Sequence, residues 1–292
     1  WTRIAAGPAV AQAADCYGNL KSVMIALSIM TFVSFALYSA TTDYVWLLFV
    51  AFLLGCSFSP MLPLAETMTL DVAAKTGTPY GRMRLWGSLT FILAALGGGI
   101  LLSVEPNIEV PDLVLIGCVA LILSCLFLPD LQKKKASEKN YTGLRLLTKP
   151  VFILFLAGTG LVQGSHAAFY GFSTLHWASL GWSNTYVGFF WAEGVVAEVI
   201  LFAFSRFLLR KFGILTLFII GALAATARWI GMGLATDLIA ISALQLSHAL
   251  TFAATHLAAV HFVRRVAPEG AANTAQSLYA AIGLGFSSAV LM

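Results

Sequence analysis

Long apolar runs, separated by short polar stretches, recur along the whole chain and constrain its fold more than any other feature. A run of about 20 apolar residues matches the thickness of bilayer hydrocarbon, and backbone polar groups within lipid must be paired inside a helix. Only 10% of the residues are charged, whereas about a quarter are charged in soluble domains. We therefore predict an all-α membrane protein with about ten spans. The predicted spans cover residues 1–14, 22–40, 45–68, 83–102, 111–128, 150–175, 185–207, 213–233, 237–262 and 271–292.

The basic residues are distributed unevenly over the loops between these spans. Fifteen of the 17 Lys and Arg residues lie in alternate loops, whereas the intervening loops carry acidic residues. This bias predicts that the basic loops are cytoplasmic. It also accounts for the net charge of +4 without a nucleic-acid partner, and we expect none. The basic loops are 15–21, 69–84, 129–149, 206–212 and 263–270.

The segment 129–149 is the longest polar stretch, and it divides the predicted spans into two sets of five. We expect it to be a cytoplasmic linker between an N-terminal bundle, 1–128, and a C-terminal bundle, 150–292. The chain begins at Trp1 and ends within an apolar run at Met292, so we expect a fragment that lacks terminal spans. One further span at each end would give six plus six helices, a plan typical of transporters with repeated halves and a midplane site.

Six short sequence blocks are more specific than the apolar pattern. They are 80–88 (YGRMRLWGS), 163–173 (QGSHAAFYGFS), 194–199 (GVVAEV), 228–229 (RW), 248–252 (HALTF) and 256–259 (HLAA). In this order the blocks resemble the phenylpropionate permease branch of the major facilitator superfamily, which is related to lactose permease and to nucleoside–proton symporters. Asp15, Gly18 and Lys21 also resemble the family's loop signature.

This resemblance implies the major facilitator fold, with about ten of its twelve transmembrane helices present in two pseudo-repeated bundles. It also implies secondary active transport, namely proton symport of a small organic acid such as an aromatic carboxylate. Uptake would proceed by alternating access across a bacterial inner membrane. Sugar or nucleoside proton symport, and a non-transporting sensor, stay open as alternatives.

Two residue pairs are similar to pairs in lactose permease. The spacing from Arg228 to His248 resembles the pair on its ninth and tenth helices. The spacing from Glu66 to Arg84 resembles its sugar-binding carboxylate and arginine on helices four and five. In lactose permease a carboxylate follows the histidine three residues later, but Thr251 stands at that place here. The resemblance therefore does not imply a lactose-type proton site.

Ionisable residues within the predicted spans are candidate site residues, because a charge in lipid is costly and turns towards protein or water. Arg3 lies roughly 18 Å from the cytoplasmic end of its span, at about 1.5 Å per residue. It needs an anion, which is either a protein carboxylate in a structural ion pair or a substrate carboxylate. Glu66 follows two prolines, and it either faces a cavity or pairs with Arg82 or Arg84.

We predict different roles in transport for three residues that lie deep within their spans. Arg228 is expected to hold the substrate anion, since arginine stays charged. Glu198 is our leading proton carrier because burial favours the neutral carboxyl form. His248 is the competing carrier because histidine titrates near working pH. Glu193 points about 140° away from Glu198 on the same helix, and we expect it in an outer vestibule.

Two polar stripes predict helix faces that line a water-filled path, since a lipid-facing helix would not carry them. The stripe on span 150–175 consists of Gln163, His166, Tyr170 and either Ser173 or Thr174. The stripe on span 237–262 consists of Gln245, His248 and Thr255. Aromatic residues at the outer ends of two spans are typical of interfacial anchors. They are Trp177, Trp182, Tyr186 and Trp191.

The sequence lacks the motifs of the enzyme classes that work within membranes or on phosphates: G-x-S-G, a phosphate loop and closely spaced histidine boxes. The four cysteines form no C-x-x-C pair, and we interpret them as packing residues. We expect a monomeric transporter and not an enzyme, without cofactor or metal, whose partners are a small-molecule substrate, protons and the bilayer. The predicted substrate and proton pathway comprises Arg3, Glu66, Arg84, Gln163, His166, Tyr170, Glu198, Arg228, Gln245 and His248.

Overall fold

The computed structural model describes residues 2–39, 43–105, 107–130 and 143–292, and no strand occurs among them. The predicted all-α fold is therefore confirmed. The α-helices are α1 (Thr2–Tyr17), α2 (Leu20–Ser39), α3 (Tyr44–Phe58), α4 (Met61–Thr76), α5 (Tyr80–Val104), α6 (Val110–Leu126), α7 (Pro150–Gly164), α8 (His166–Ser179), α9 (Asn184–Ala203), α10 (Ser205–Leu234), α11 (Leu238–Leu246), α12 (Thr255–Val266), α13 (Ala272–Leu278) and α14 (Ser287–Leu291). A 3-10 turn, Leu144–Thr148, precedes α7, and π-helical segments span Ala249–Ala254 and Tyr279–Phe286.

Within the described residues, six helical stretches are long and apolar enough to cross a bilayer. They are Leu20–Tyr38, Tyr44–Thr76, Pro150–Ser179, Tyr186–Ala203, Ser205–Leu234 and Leu238–Val266. Helix α6 is apolar but has only 17 residues. The described residues of the other predicted spans, 1–14, 83–102 and 271–292, are mostly helical, but these spans are not among the six.

Three of the long stretches consist of more than one helix, and Pro150–Ser179 is divided at Ser165, between α7 and α8. Helix α3 ends before Ser59 and Pro60, and α4 begins after them. Proline has no N–H to donate, so it removes a bond from the helical ladder. In Leu238–Val266 the interruption is the π-helical segment Ala249–Ala254. Such segments occur frequently at functional sites, and this one contains Thr251.

Helix α10 bends at Gly213, where φ is 73°. This left-handed backbone conformation is readily adopted only by glycine. The sequence predicted a loop at 206–212 before a span that starts at residue 213. In the structure the residues of that predicted loop form the first turns of α10, so the loop assignment was wrong while the break at Gly213 is present.

Contacts between Cα atoms divide the chain into two compact units. The first unit contains Trp1–Met68, Phe91–Lys149 and Ala267–Ala281, and the second contains Thr69–Thr90, Pro150–Val266 and Ile282–Met292. In the first, α2 packs against α3 and α6, and α1 packs against α13. In the second, α10 packs against α12 and the π-helical segment, and α9 packs against α11. The predicted linker 129–149 falls largely outside the described residues, so the two predicted bundles stay a prediction.

Glycine allows a close contact between two helical segments of the second unit. A Cβ atom added to Gly221 on α10 would overlap the side chain of Thr255 and would lie 2.8 Å from the carbonyl oxygen of Leu250. Contact this close requires a residue without a side chain. Gly221 thereby brings α10 against the π-helical segment, and Arg228 lies two turns further along the same helix.

In the first unit, the carboxylate of Asp15 satisfies the N-terminal backbone of α13. It accepts hydrogen bonds from the backbone N–H groups of Asn273 at 3.2 Å and Thr274 at 2.8 Å. It also accepts from their side chains, at 2.8 Å from Asn273 and 2.6 Å from Thr274. Burial raises the pKa of this carboxyl, and the bonds from Thr274 and Asn273 oppose the rise. A buried carboxylate at a helix N-terminus is stabilised by the helix dipole.

Candidate functional site

Arg228 is the centre of a polar cluster within the second unit, and only 1% of its surface is exposed. Its guanidinium donates to Gln245 Oε1 at 2.6 Å and to Thr251 Oγ1 at 3.1 Å. Its carbon Cζ lies 4.6 Å from the ring centroid of Phe169 and 4.8 Å from that of Trp229. Amide, hydroxyl and aromatic partners thus hold the cation, and the two rings provide cation–π attraction.

The charge of Arg228 has no carboxylate partner within 4.0 Å among the described residues. Its Nε atom is buried and makes no hydrogen bond to them. A buried charge is costly unless it is paired. Arg228 therefore offers an anion a positive charge and a donor, Nε, that has no hydrogen-bond partner among these residues.

His248 lies between Arg228 and the buried carboxylate of Glu198. Its Nδ1 atom lies 3.1 Å from Nη1 of Arg228. Arginine can only donate, so Nδ1 must accept the hydrogen bond and the proton of neutral His248 is on Nε2. That Nε2 atom lies 3.9 Å from Oε2 of Glu198. A doubly protonated His248 would place a second donor against Arg228 and lose this contact.

Glu198 on α9 is buried, with 7% of its surface exposed. Its Oε1 atom accepts a hydrogen bond of 2.8 Å from the hydroxyl of Ser88 on α5. Its Oε2 atom faces His248 without a hydrogen bond of ordinary length. One oxygen is thus fixed by a neutral donor, and the other makes no hydrogen bond of ordinary length with the described residues.

His166 extends the cluster to α8. Its Nδ1 atom lies 3.0 Å from the carbonyl oxygen of Val162, which can only accept, so Nδ1 carries the proton. Its Nε2 atom then accepts from the hydroxyl of Thr251 at 3.1 Å. Thr251 consequently bridges His166 and Arg228. In the next layer, Nε2 of Gln163 donates to Thr255 Oγ1 at 2.6 Å.

Aromatic rings surround this cluster on one side. The ring of Tyr170, half of whose surface is exposed, stacks against Trp191 at a centroid distance of 5.9 Å. Phe169 contacts both Trp191 and Trp229. The indole N–H of Trp229 donates to Ser165 at 2.8 Å. An apolar wall beside a buried cation can accommodate a molecule with one charged end and one aromatic end.

The structure brings together seven of the ten residues of the predicted pathway. They are Gln163, His166, Tyr170, Glu198, Arg228, Gln245 and His248. Glu66 is buried in the first unit, so its predicted pairing with Arg82 or Arg84 is not tested. The guanidinium of Arg84 lies over the ring of Phe202, 5.5 Å from its centroid, within the second unit. The side chain of Arg3 lies outside the described residues.

The residues of the cluster that were not predicted as site residues include Ser88, Thr251, Phe169 and Trp229. Ser88 lies within a sequence block of the resemblance, but nothing local to it indicates a contact with Glu198, 110 positions away. Thr251 was noted only as the residue that replaces a carboxylate. The anchor prediction for Trp177 was wrong, because this residue is 2% exposed and packs against Phe169 and Phe190.

Comparison with known proteins identifies the class to which this chain belongs. Residues 1–290 match the MFS_1 like family, and the chain is a member of that family. It is therefore a membrane transporter of the major facilitator type and not an enzyme, as predicted. Within the described residues, no group of three or more His, Cys, Asp or Glu side chains could hold a metal ion.

Individual relatives show how much of the chain the similarity covers. The chain is 31% identical over 278 residues to the probable 3-phenylpropionic acid transporter of Escherichia coli (strain K12). The matched region covers 94% of this chain and 73% of that protein. It is 26% identical over 288 residues to the maltose permease of Geobacillus stearothermophilus, covering 98% and 73%. A crystal structure of a mutant of the nucleoside transporter NupG shares the fold, with a TM-score of 0.67, 17% identity and coverage of 99% and 77%.

Proposed function

We propose that this protein is a proton symporter of small organic anions, and that its substrate is an aromatic carboxylate. The observation that carries the proposal is the buried guanidinium of Arg228, which has only neutral partners among the described residues. A substrate carboxylate would gain a charge-assisted hydrogen bond there, and such bonds are strong where water is excluded. It would also remove the cost of the buried charge.

The rings beside Arg228 support an aromatic substrate. Phe169, Tyr170 and Trp191 contact one another at centroid distances of 5.0–5.9 Å. Such rings favour a flat apolar group in edge or offset-stacked contact. The relative from Escherichia coli is named as a probable 3-phenylpropionic acid transporter. 3-Phenylpropionic acid has a carboxylate and a phenyl ring.

Proton coupling follows from the electrical cost of the anion. Moving one negative charge inward against a negative-inside potential costs about 2.3 kcal/mol per 100 mV. A proton carried with the anion removes this cost, and a second proton would add a driving force. Glu198 is the proposed carrier because one of its oxygens is free, whereas protonation of His248 would break its contact with Arg228.

Substitution of the proposed carrier tests the coupling directly. In Glu198→Gln we expect loss of concentrative uptake with retention of counterflow exchange, because exchange requires no net proton release. The matched control is Glu193→Gln, five positions earlier on the same helix, which should keep both activities. If Glu198→Gln still concentrates the substrate and a protonophore still abolishes uptake, then Glu198 does not carry the proton.

The relatives also favour a second candidate, proton symport of a sugar, since one of them is a maltose permease. A neutral sugar needs hydroxyl partners but no unpaired buried cation. Uptake of labelled aromatic acids, sugars and nucleosides by cells that make the full-length protein separates these substrates. A sensor would bind one of them without concentrating it.

We also propose a bacterial inner-membrane location, a monomeric state and two bundles joined by a cytoplasmic linker, 129–149. The concentration of basic residues in alternate loops supports the cytoplasmic position of the linker. A cysteine introduced as Ser137→Cys, in a variant whose four native cysteines are replaced, should resist impermeant thiol reagents in intact cells. Rapid labelling from outside would reverse the proposed topology.

A further inference from the structure

Three arginines line a small pocket on the second unit, away from the Arg228 cluster. Arg82 lies at the start of α5, and Arg206 and Arg210 lie in the first turns of α10. The pocket has a volume of about 260 Å³. All three side chains are exposed, and none makes a hydrogen bond or ion pair with the described residues. No acidic residue lines the pocket.

An apolar groove of about 410 Å³ shares part of its wall with this pocket. Phe204 and Phe207 line both, and 60% and 51% of their surfaces are exposed. From these two rings the groove continues along α9 past Ile200 and reaches Leu246 and Ala249. The three arginines therefore lie beside a groove whose lining contains no charged or polar side chain.

We propose that the pocket and the groove together bind one anionic phospholipid of the cytoplasmic leaflet. The phosphate would contact Arg82, Arg206 and Arg210, and an acyl chain would lie in the groove. Guanidinium groups suit this role because they bind phosphate oxygens in pairs. Basic pockets between transmembrane helices on the cytoplasmic side bind anionic lipid headgroups, and the loop distribution of basic residues predicts that this end is cytoplasmic.

The position of the two phenylalanines argues for a lipid and against a soluble anion. Exposed Phe204 and Phe207 would be unfavourable beside water but favourable beside acyl chains. A free phosphate would use the arginines and leave the groove unused. The proposal does not depend on the transported substrate, because none of the three arginines makes a hydrogen bond or ion pair with the described residues of the Arg228 cluster.

Thermal unfolding of the purified full-length protein, followed by tryptophan fluorescence, tests the lipid site. Phosphatidylglycerol should raise the unfolding midpoint, whereas phosphatidylcholine and inorganic phosphate should not. The variant Arg82→Gln/Arg206→Gln/Arg210→Gln should bind phosphatidylglycerol on the order of a hundredfold more weakly, given the contribution of each basic residue near a membrane surface. The matched control, Lys75→Gln/Arg145→Gln/Lys149→Gln, removes three exposed charges outside the pocket and should bind like the unmodified protein.

A second variant tests the groove without changing its charges. Ala249→Leu narrows the groove, and we expect weaker binding of phosphatidylglycerol with the arginines intact. Each protein is first checked for an unchanged unfolding midpoint without lipid. Equal binding by the triple-arginine variant and its control would overturn the proposal. So would a midpoint shift with inorganic phosphate alone, or unaltered lipid binding by Ala249→Leu.

Discussion

Thr251 provides the sharpest test of the hydrogen-bond network around Arg228. Its hydroxyl accepts from Arg228 Nη1 and donates to His166 Nε2, each at 3.1 Å, and the residue is fully buried. Thr251→Val keeps the shape of the side chain and removes both bonds. Interhelical hydrogen bonds within membranes contribute about 0.6 kcal/mol each, so the loss of two sets a lower bound near 1 kcal/mol. An unsatisfied buried donor adds about 1–3 kcal/mol, which gives an expected loss of about 2–4 kcal/mol.

The matched control for this substitution is Thr226→Val on α10. Thr226 is exposed, and its hydroxyl bonds only to the carbonyl oxygen of Ala222 in its own helix, at 3.2 Å. Its loss should change stability by less than about 0.5 kcal/mol, as is usual for surface substitutions. Thermal unfolding of the two purified variants measures the difference. If Thr251→Val is no less stable than Thr226→Val, then Thr251 does not bridge Arg228 and His166.

Two further predictions concern packing and helix ends. Gly221→Ala should destabilise the protein by about 1–3 kcal/mol, because the added methyl group overpacks against Thr255 and Leu250. Gly233→Ala is the control: nothing lies within 4 Å of the added atom, so this variant should stabilise α10 by roughly 0.5 kcal/mol. Thermal unfolding that ranks the two variants in the opposite order would contradict the close approach at Gly221. Asp15→Ala should lower the free energy of unfolding by about 1–2 kcal/mol, the usual loss for a capping side chain. Asp15→Asn should lower it less, because one oxygen still accepts hydrogen bonds from α13. Equal stability of Asp15→Ala and the unmodified protein would show that the four hydrogen bonds to Asp15 contribute nothing.

The sequence predicted those parts of the site that depend on one helix at a time. Gln163, His166 and Tyr170 recur at helical spacing, and such a stripe is interpretable without knowing its neighbours. Gln245 and His248 follow the same logic on the next polar span. In the structure Gln245 and His248 contact Arg228 directly, and His166 reaches it through Thr251.

The pattern within one helix could not predict contacts between helices that are distant in sequence. Ser88 bonds to Glu198 only because α5 and α9 meet in the second unit, and no local pattern encodes that meeting. Trp177 looked like an interfacial anchor because tryptophan near a span end commonly is one. In the structure Trp177 instead packs against Phe169 and Phe190. The position of a tryptophan in the sequence does not show whether its ring is buried or lies at the membrane interface.

The proposed coupling makes binding of the anion and uptake of a proton by Glu198 parts of one event. The most direct test is to measure protons bound per molecule of 3-phenylpropionate, by calorimetry of the purified full-length protein in buffers of different ionisation enthalpy. We expect uptake of about one proton per bound anion, as charge compensation requires. In Glu198→Gln the anion should still bind through Arg228 with no proton uptake. Unchanged proton uptake in Glu198→Gln, or equal binding of the anion by Arg228→Gln, would contradict the account.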